Sequence, residues 1–385
     1  MSFNPARKLF VLLALLSLSA PGAMAGQNAF NPEISLILSG QYAHYERDPD
    51  GRTIAGVPAA GESPLPPAGL SLAESELVAS ANVDDRYYGR FTAALAPDGG
   101  IEVEEAFIQT LDLPMGLSLQ AGRFYSELGY QNSRHAHQWD FVDQPLVYQA
   151  FLGNQYRDDG LQLRWLAPTD IFLEVGGGVF RGDAYPAGGA ARNGAGTRVV
   201  FLAGGGDLGV SQSWKAGISL LDARSDARPS DDGRLAFDGT ARLLTLYGVW
   251  KWAPNGNPYD RNLVVQGAWM RNEEQGDYSG TAAGSVDLHR DGAYVQAVYQ
   301  FRHGWRSGLR LDRLSVPAAQ GGLTGSALDP AGHAPRRASL MIDYAHSEFS
   351  RIRLQFNRDE SSPQTDNQWF LQYTMSLGAH GAHRF

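Results

Sequence analysis

The sequence contains no cysteine among its 385 residues, which excludes disulfides, thiolate metal ligands and cysteine nucleophiles. Beyond its N-terminal segment it has no run that approaches the roughly eighteen apolar residues of a membrane-spanning helix. Its basic residues do not gather on a helix or in one run, so a nucleic-acid partner is not expected. Thiol chemistry, helical membrane spans and a nucleic-acid interface are therefore not predicted.

The N-terminal segment has the three parts of a secretory signal. Arg7 and Lys8 supply the positive region, Leu9 to Leu18 supply the apolar core, and Ala23-Met24-Ala25 is a small-residue cleavage site. We predict that residues 1–25 are a cleaved signal peptide and that residues 26–385 form one mature domain. An exported chain without an apolar helix is either soluble or a β-barrel.

The last seventeen residues favour the barrel. From Trp369 to Met375, apolar residues occupy alternate positions and polar residues occupy several of the positions between them. An apolar face opposite a polar face, with period two, predicts a strand between lipid and water. The segment Trp369 to Phe385 resembles the closing strand of outer-membrane barrels, which makes the barrel-assembly machinery an expected partner. Because lipid cannot hydrogen-bond to its free edge, we expect this strand to pair with the first one, Ile34 to Glu46.

Period-two segments separated by turn residues continue along the chain and indicate about sixteen strands. Most turns after even-numbered strands are short. Long connections follow odd-numbered strands, at residues 47–70, 126–156, 182–197, 223–239, 272–291 and 315–337. Outer-membrane barrels show this alternation because their loops face outside and their turns face the periplasm. We predict an all-β fold, a single transmembrane antiparallel β-barrel of about sixteen strands, integral to the outer membrane and surrounded by its lipid. Alternation fails at Glu104-Glu105, which predicts a bulge or a rim position.

Successive side chains of a strand point to opposite faces. In the late strands, apolar side chains such as Leu309 and Leu340 are therefore expected to face lipid, and the polar side chains between them to face the lumen. A bore of about sixteen strands is too wide for side chains to fill, so water and small solutes should pass. We expect five inward-facing arginines to line the pore: Arg164, Arg306, Arg310, Arg351 and Arg353.

The connection at residues 126–156 is expected to fold into this pore and constrict it. Asp143 is a candidate helix cap, Pro145 suits a first turn and Gly153 can end a helix, so the sequence predicts a short apolar helix here. With a basic wall opposite, the acidic loop would create an ion-sorting field across a water-filled waist. The residues predicted to form the constriction are His135, His137, Trp139, Asp140 and Asp143.

Two family resemblances apply to this region. The run Glu105-Ala106-Phe107-Ile108, with Leu119-Gln120-Ala121-Gly122-Arg123-Phe124 and Gly129 after it, resembles the paired-strand pattern of the phosphate-selective porin O/P family. The run from His135 to Asp140 departs from that family. It looks closer to a group of proteobacterial barrel proteins, some of them labelled zinc-regulated outer-membrane receptors. The resemblance to porins implies a passive channel and a homotrimer.

Three interpretations of function follow. We favour a passive outer-membrane channel, a porin, for small hydrophilic solutes or ions, with a preference for anions. His135 and His137 are weak candidates for a metal site with Asp140 or Asp143, as in an outer-membrane component of zinc or metal acquisition, although no cofactor is predicted. A non-conducting surface or adhesion barrel is the other alternative. No enzyme is predicted, because His346-Ser347-Glu348, the nearest match to a catalytic relay, consists of adjacent residues that cannot form one.

Overall fold

A computed structural model describes residues 32–58, 65–96, 99–189, 193–230 and 232–378. The predicted signal peptide lies outside the described residues, as do residues 379–385 of the predicted closing strand. Within the described residues, no helix combines the length and the apolar character needed to cross a membrane.

The described residues form strands along most of their length. The strands are β1 (Glu33–Tyr45), β2 (Gly69–Leu72), β3 (Ser75–Asn82), β4 (Tyr87–Leu95), β5 (Ile101–Thr110), β6 (Leu117–Tyr125), β7 (Arg157–Leu166), β8 (Phe172–Phe180), β9 (Gly188–Gly189), β10 (Thr197–Leu208), β11 (Gln212–Pro229), β12 (Leu235–Trp252), β13 (Asn262–Gly280), β14 (Gly284–Arg302), β15 (Trp305–Ser315), β16 (Arg336–Ser347), β17 (Ser350–Glu360) and β18 (Asp366–Gly378). An α-helix, α1 (Leu146–Leu152), lies between β6 and β7. Short 3-10 helices occur at Pro49–Gly51, Pro114–Gly116, Ala136–Gln138, Pro254–Gly256 and Gly321–Leu323.

The sheet closes into a barrel through β1 and β18, which pair antiparallel from Ser35 opposite Gly378 to Tyr45 opposite Gln368. β2 and β3 follow one another along the same edge of β1, so they act as one interrupted strand of the wall. β9 adds only a two-residue parallel pairing to β11. In the described part of the chain the wall therefore has sixteen antiparallel strands, which confirms the predicted fold class and closing pair.

The two faces of the wall differ as the alternation predicts. Leu309, Leu340 and Leu354 are 45%, 56% and 43% exposed on the outside. Their neighbours in sequence, such as Arg310 and Gln355, are fully buried on the inside. An outer surface this apolar is suited to lipid, because in water it would be a large exposed hydrophobic patch.

Strands β11 to β14 are longer than the sequence suggests, at 18 or 19 residues each. A membrane strand needs about ten residues, so these four extend beyond the lipid. The predicted loops at residues 223–239 and 272–291 are therefore wrong, because most of their residues continue the strands. The outer face of such an extension contacts water in place of lipid, so the apolar-polar alternation that marks a membrane strand disappears while the strand pairing continues.

A β-bulge occurs where alternation fails in the sequence. Thr92 of β4 lies opposite Glu105 of β5, and Ala93 lies opposite Val103, so Glu104 is an extra residue without a partner in the register. Both glutamates are consequently buried inside the barrel, although they are adjacent in the chain. The predicted bulge is confirmed, and it adds a carboxylate to the lumen.

Candidate functional site: the constriction loop

The constriction loop, residues 126–156 between β6 and β7, folds inside the barrel. All seven residues of α1 are buried, and Gly153 ends the helix in the left-handed conformation, with φ of 59°. Asp143 is the predicted cap, but Pro145 occupies the cap position and offers no side-chain hydrogen bond. Instead, the backbone N–H of Leu146 donates to the carboxylate of Asp312 on β15, at 2.9 Å. The wall thus caps the helix of the loop.

The helix packs on the inner wall and forms an apolar core within the barrel. Leu146, Val147 and Phe151 belong to one buried cluster with wall residues from β6 to β15, such as Leu243 and Met270. The helix approaches the wall closely at Gly292 on β14. A Cβ added to this glycine would lie 2.8 Å from Val147 of the helix and 2.5 Å from Leu314 of the wall. The expectation that side chains cannot fill the bore is wrong in this part of the lumen, because the loop supplies its own apolar side chains.

Arginines of β15, β16 and β17 hold the backbone of the loop. Each is buried, and each donates a charge-assisted hydrogen bond to a carbonyl of the loop. The four bonds run from Arg351 to His137 (2.9 Å), from Arg353 to Trp139 (2.6 Å), from Arg310 to Asp143 (2.7 Å) and from Arg337 to Gln144 (2.6 Å). These arginines line the inner wall, but the loop covers them.

The acidic residues of the loop contact the same wall directly. Arg306 pairs with Asp140 at 2.9 Å and Arg310 pairs with Asp143 at 2.7 Å. Arg337, which sequence reasoning missed, pairs with Asp143 at 2.8 Å. The expected water-filled gap between basic wall and acidic loop is therefore wrong, since the charges meet at hydrogen-bond distance.

Asp143 shows how strongly this contact is stabilised. Burial alone would raise the pKa of its carboxyl, but Arg337 and Arg310 outweigh burial and hold that pKa below its ordinary value. Gln355 and Asn357 also donate to the carboxylate, at 2.9 and 3.0 Å. We call this region the arginine–aspartate flank, which comprises Arg306, Arg310, Arg337, Arg351, Arg353, Asp140, Asp143, Asp312 and Asp343.

The two loop histidines contact a different part of the wall. Nδ1 of His135 lies 3.1 Å from Glu104 and 3.3 Å from Glu76, and its Nε2 lies 2.8 Å from Glu105. Nδ1 of His137 lies 2.7 Å from Glu76. The expected placement of the histidines near Asp140 or Asp143 is wrong, because those aspartates pair with the arginines. We call Glu76, Glu104, Glu105, His135 and His137 the histidine–glutamate cluster.

Burial alone would lower the pKa of His135, but Glu76, Glu104 and Glu105 raise it well above its ordinary value. Arg90 pairs with Glu105 at 2.8 Å, and Arg157 pairs with Glu104 at 3.2 Å. Sequence reasoning missed this cluster, although the broken alternation at Glu104-Glu105 marked its position. The histidines could not be matched to their partners because 30 or more residues separate them in the chain.

The two remaining predicted site residues are Trp139 and Arg164. Trp139 is buried, and its indole N–H donates to the carbonyl of Arg134 at 2.7 Å. Arg164 on β7 pairs with Glu127 at 3.3 Å. Next to them is a polar cavity of about 330 Å³ between the loop and the wall, lined by Glu127, Tyr130, Arg134, Lys215 and Tyr247, among others.

No protein-family model matches the chain. An uncharacterized protein of Aquifex aeolicus (strain VF5) is 28% identical to it over 391 residues, covering 93% of this chain and 81% of the relative. The anion-selective porin from Comamonas acidovorans has a similar structure, with a TM-score of 0.57, 10% identity, and coverage of 90% of this chain and 99% of the porin. The trimer form of OmpT, an outer-membrane protein of Vibrio cholerae, gives a TM-score of 0.55 at 10% identity and covers 91% and 100% of the two chains.

These similarities establish the fold, which is that of outer-membrane porins. With its closed wall and apolar outer surface, the protein is an integral outer-membrane β-barrel. The narrower resemblance to the phosphate-selective porin O/P family is not confirmed.

Proposed function

We propose that the protein is a passive outer-membrane channel for small hydrophilic solutes, with a mild preference for anions. The observation that carries the proposal is the polar cavity beside the constriction loop. The loop leaves a polar space of about 330 Å³ on this side of the lumen, and charged side chains of both signs line it. We propose that this space is part of a continuous water-filled passage, which would admit solutes without a dedicated binding site.

The charges around the cavity support the anion preference. Arg134 and Lys215 line it together with Glu127, and Glu127 is already paired with Arg164. The unbalanced charge next to the passage is therefore positive. We propose that Arg164, Arg306, Arg310, Arg351 and Arg353 act on selectivity in two ways: by adding to this field and by fixing the position of the loop.

Single-channel recording in planar bilayers under a KCl gradient tests this function. We expect ohmic conductance and a reversal potential of the sign that chloride preference produces. The double variant Arg306→Ala plus Arg353→Ala should move the reversal potential toward zero, and Lys215→Ala should do so to a smaller extent. Arg242→Ala is the matched control, because Arg242 is exposed on the outer face of β12. An unchanged reversal potential in the double variant would refute the selectivity role of these arginines.

We also propose that the barrel assembles as a homotrimer, by analogy with the trimer form of OmpT from Vibrio cholerae. Light scattering coupled to size exclusion in detergent should give three protomer masses. A single protomer mass would exclude the trimer.

One observation favours a second function, a non-conducting surface barrel. The apolar core around α1 fills part of the lumen with fully buried side chains. A lack of conductance in bilayers that contain the correctly folded barrel would indicate that this apolar core closes the lumen. The channel proposal would then fail.

A further inference from the structure

We propose that the histidine–glutamate cluster binds one divalent transition-metal cation. The ligands would be Glu76 of β3, Glu104 of β5 and His135 of the constriction loop. Their three ligand atoms lie within 4.8 Å of one another, and all three side chains are buried. Because one ligand belongs to the loop and two belong to the wall, the ion would attach the loop to the barrel.

The distances between the ligand atoms fit a shared ion. Nδ1 of His135 is 3.1 Å from Oε2 of Glu104 and 3.3 Å from Oε2 of Glu76. Two atoms that each lie about 2.1 Å from a metal are about 3.0–3.4 Å apart at octahedral to tetrahedral angles. The imidazole nitrogen is therefore placed to share an ion with each carboxylate oxygen, and because the two oxygens lie within 4.8 Å of each other, one ion can contact all three atoms after a shift of the carboxylates.

Hydrogen bonds account for only part of this arrangement. Nδ1 carries at most one hydrogen and cannot donate fully to two carboxylates. Oε2 of Glu76 has no hydrogen-bond partner within the described part of the chain, although this side chain is 0% exposed. A buried carboxylate oxygen without a partner is costly, and a cation at this point would remove the cost.

The atoms that would face away from the ion already have partners, as in established metal sites. A histidine ligand commonly donates its other N–H to a carboxylate, which orients the ring. Here the outward atoms pair as follows: Nε2 of His135 with Glu105 (2.8 Å), Oε1 of Glu76 with His137 (2.7 Å), and Oε1 of Glu104 with the hydroxyl of Tyr125 (2.7 Å).

The balance of charge also favours a cation. Glu74, which is half-buried between β2 and β3, interacts electrostatically with Glu76 and Glu104. With Glu105 this makes four carboxylates, whereas two guanidinium groups, those of Arg90 and Arg157, pair with them. A divalent ion would take the place of the proton on Nδ1 of His135 and add positive charge among these carboxylates.

The ligand types select the class of ion. Calcium and magnesium prefer oxygen ligands alone, whereas an imidazole nitrogen combined with carboxylates suits first-row transition metals such as manganese and zinc. The proposed site makes the loop sensitive to metals. It does not require that the barrel transport them.

Binding is measured on the mature barrel, folded in detergent after treatment with a chelator and titrated with MnCl2. Free Mn²⁺ is followed by electron paramagnetic resonance. We expect one saturable site per chain, displaced by ZnCl2 but not by the same concentration of CaCl2. His135→Gln and Glu76→Gln should weaken binding at least a hundredfold, and Glu105→Gln about tenfold, because it removes only an orienting partner. Absence of saturable binding to the wild type, or undiminished binding in both ligand variants, would overturn the proposal.

His289→Gln is the matched control. His289 also lies near two carboxylates, Glu273 at 3.5 Å and Asp287 at 3.7 Å, but this group is exposed on the outer extension of the barrel. The control variant should bind Mn²⁺ like the wild type, and a loss equal to that of His135→Gln would place the ion elsewhere. Because a ligand variant can fail to fold, the thermal unfolding of the wild type is measured as well. Its midpoint should rise with MnCl2, and a constant midpoint would also overturn the proposal.

A conductance measurement then tests the attachment of the loop. This measurement rests on the proposed channel function, whereas the binding measurements do not. Chelation should raise single-channel conductance, and MnCl2 should reverse the change in the wild type but not in His135→Gln. A conducting barrel that binds Mn²⁺ without any change in conductance would refute the attachment, and a barrel that does not conduct would refute the channel alone.

Discussion

The constriction loop contacts the wall in two regions, on either side of the seam between β18 and β1, and they differ in their balance of charge. On the arginine–aspartate flank, five guanidiniums meet four carboxylates, and most pairs are at hydrogen-bond distance. At the histidine–glutamate cluster, four carboxylates including Glu74 meet two guanidiniums. The flank is nearly balanced in charge, with one guanidinium more than its carboxylates. The cluster has fewer guanidiniums than carboxylates and relies on His135, whose pKa is raised, for part of its positive charge, so it is the region that should respond to ions.

Removing Asp143 gives the sharpest test of the flank, and we expect the largest effect from it. Asp143→Ala would leave Arg310 and Arg337 buried and sharing Asp312, at 3.1 and 3.7 Å, in place of two carboxylates. Breaking a buried ion pair in this way costs about 3–5 kcal/mol. Urea unfolding of the refolded barrel should show this loss, and single-channel conductance should rise because the loop separates from the wall.

The control for Asp143→Ala is Asp222→Ala, which breaks an exposed pair with Arg242 at 3.4 Å. Exposed pairs contribute little to stability, so no measurable change is expected. Equal losses of stability in the two variants would show that the buried pairs of Asp143 contribute no more to stability than an exposed ion pair does.

Enlarging Gly292 loosens the loop without altering either charged region. Gly292→Val would push against Val147 and Leu314, where even a Cβ lies within 2.8 Å of both side chains. Overpacking of this kind costs about 1–3 kcal/mol. Unfolding in urea measures the loss. Gly248→Val is the matched control in β12, because a Cβ at that position meets nothing within 4 Å.

Much of the fold could be predicted from the sequence because one rule governs every strand. Alternation along a strand reports lipid on one face and the lumen on the other, so the lumen-facing Arg310 and Arg353 could be assigned one strand at a time. The inward loop could also be predicted, since its apolar helix required burial. The rule fails beyond the lipid, where the outer face of the wall contacts water, and there the sequence predicts loops in place of the outer halves of β11 to β14.

The partners inside the lumen could not be predicted, because they depend on how the loop crosses the barrel. Asp140 and His137 are close in the chain, yet one pairs with Arg306 and the other with Glu76. Nothing local distinguishes their directions. The irregularity at Glu104-Glu105 was the one signal, since two adjacent inward carboxylates require a bulge and also mark a concentration of charge.

A substitution in the cluster should behave differently from one in the flank. Glu74→Gln removes one of four neighbouring carboxylates, so in metal-free buffer we expect the free energy of unfolding to stay the same or increase, because like charges repel less. Urea unfolding of chelator-treated barrel measures it beside Asp143→Asn, which should be destabilising. If Glu74→Gln lost as much stability as Asp143→Asn, the cluster would not be short of positive charge.

The smallest expected effect is that of mild acid on the flank. Since the pKa of Asp143 is lowered on folding, its contribution to stability is fully present above the unfolded value of about 3.9 and is lost as the pH falls through the lower folded value. The stability difference between the wild type and Asp143→Asn should therefore stay constant from pH 7 to about pH 5 and shrink only in stronger acid. Urea unfolding of both proteins across this range measures the difference. A difference that already shrinks between pH 7 and pH 5 would mean that the two arginines do not hold the carboxylate in its charged form.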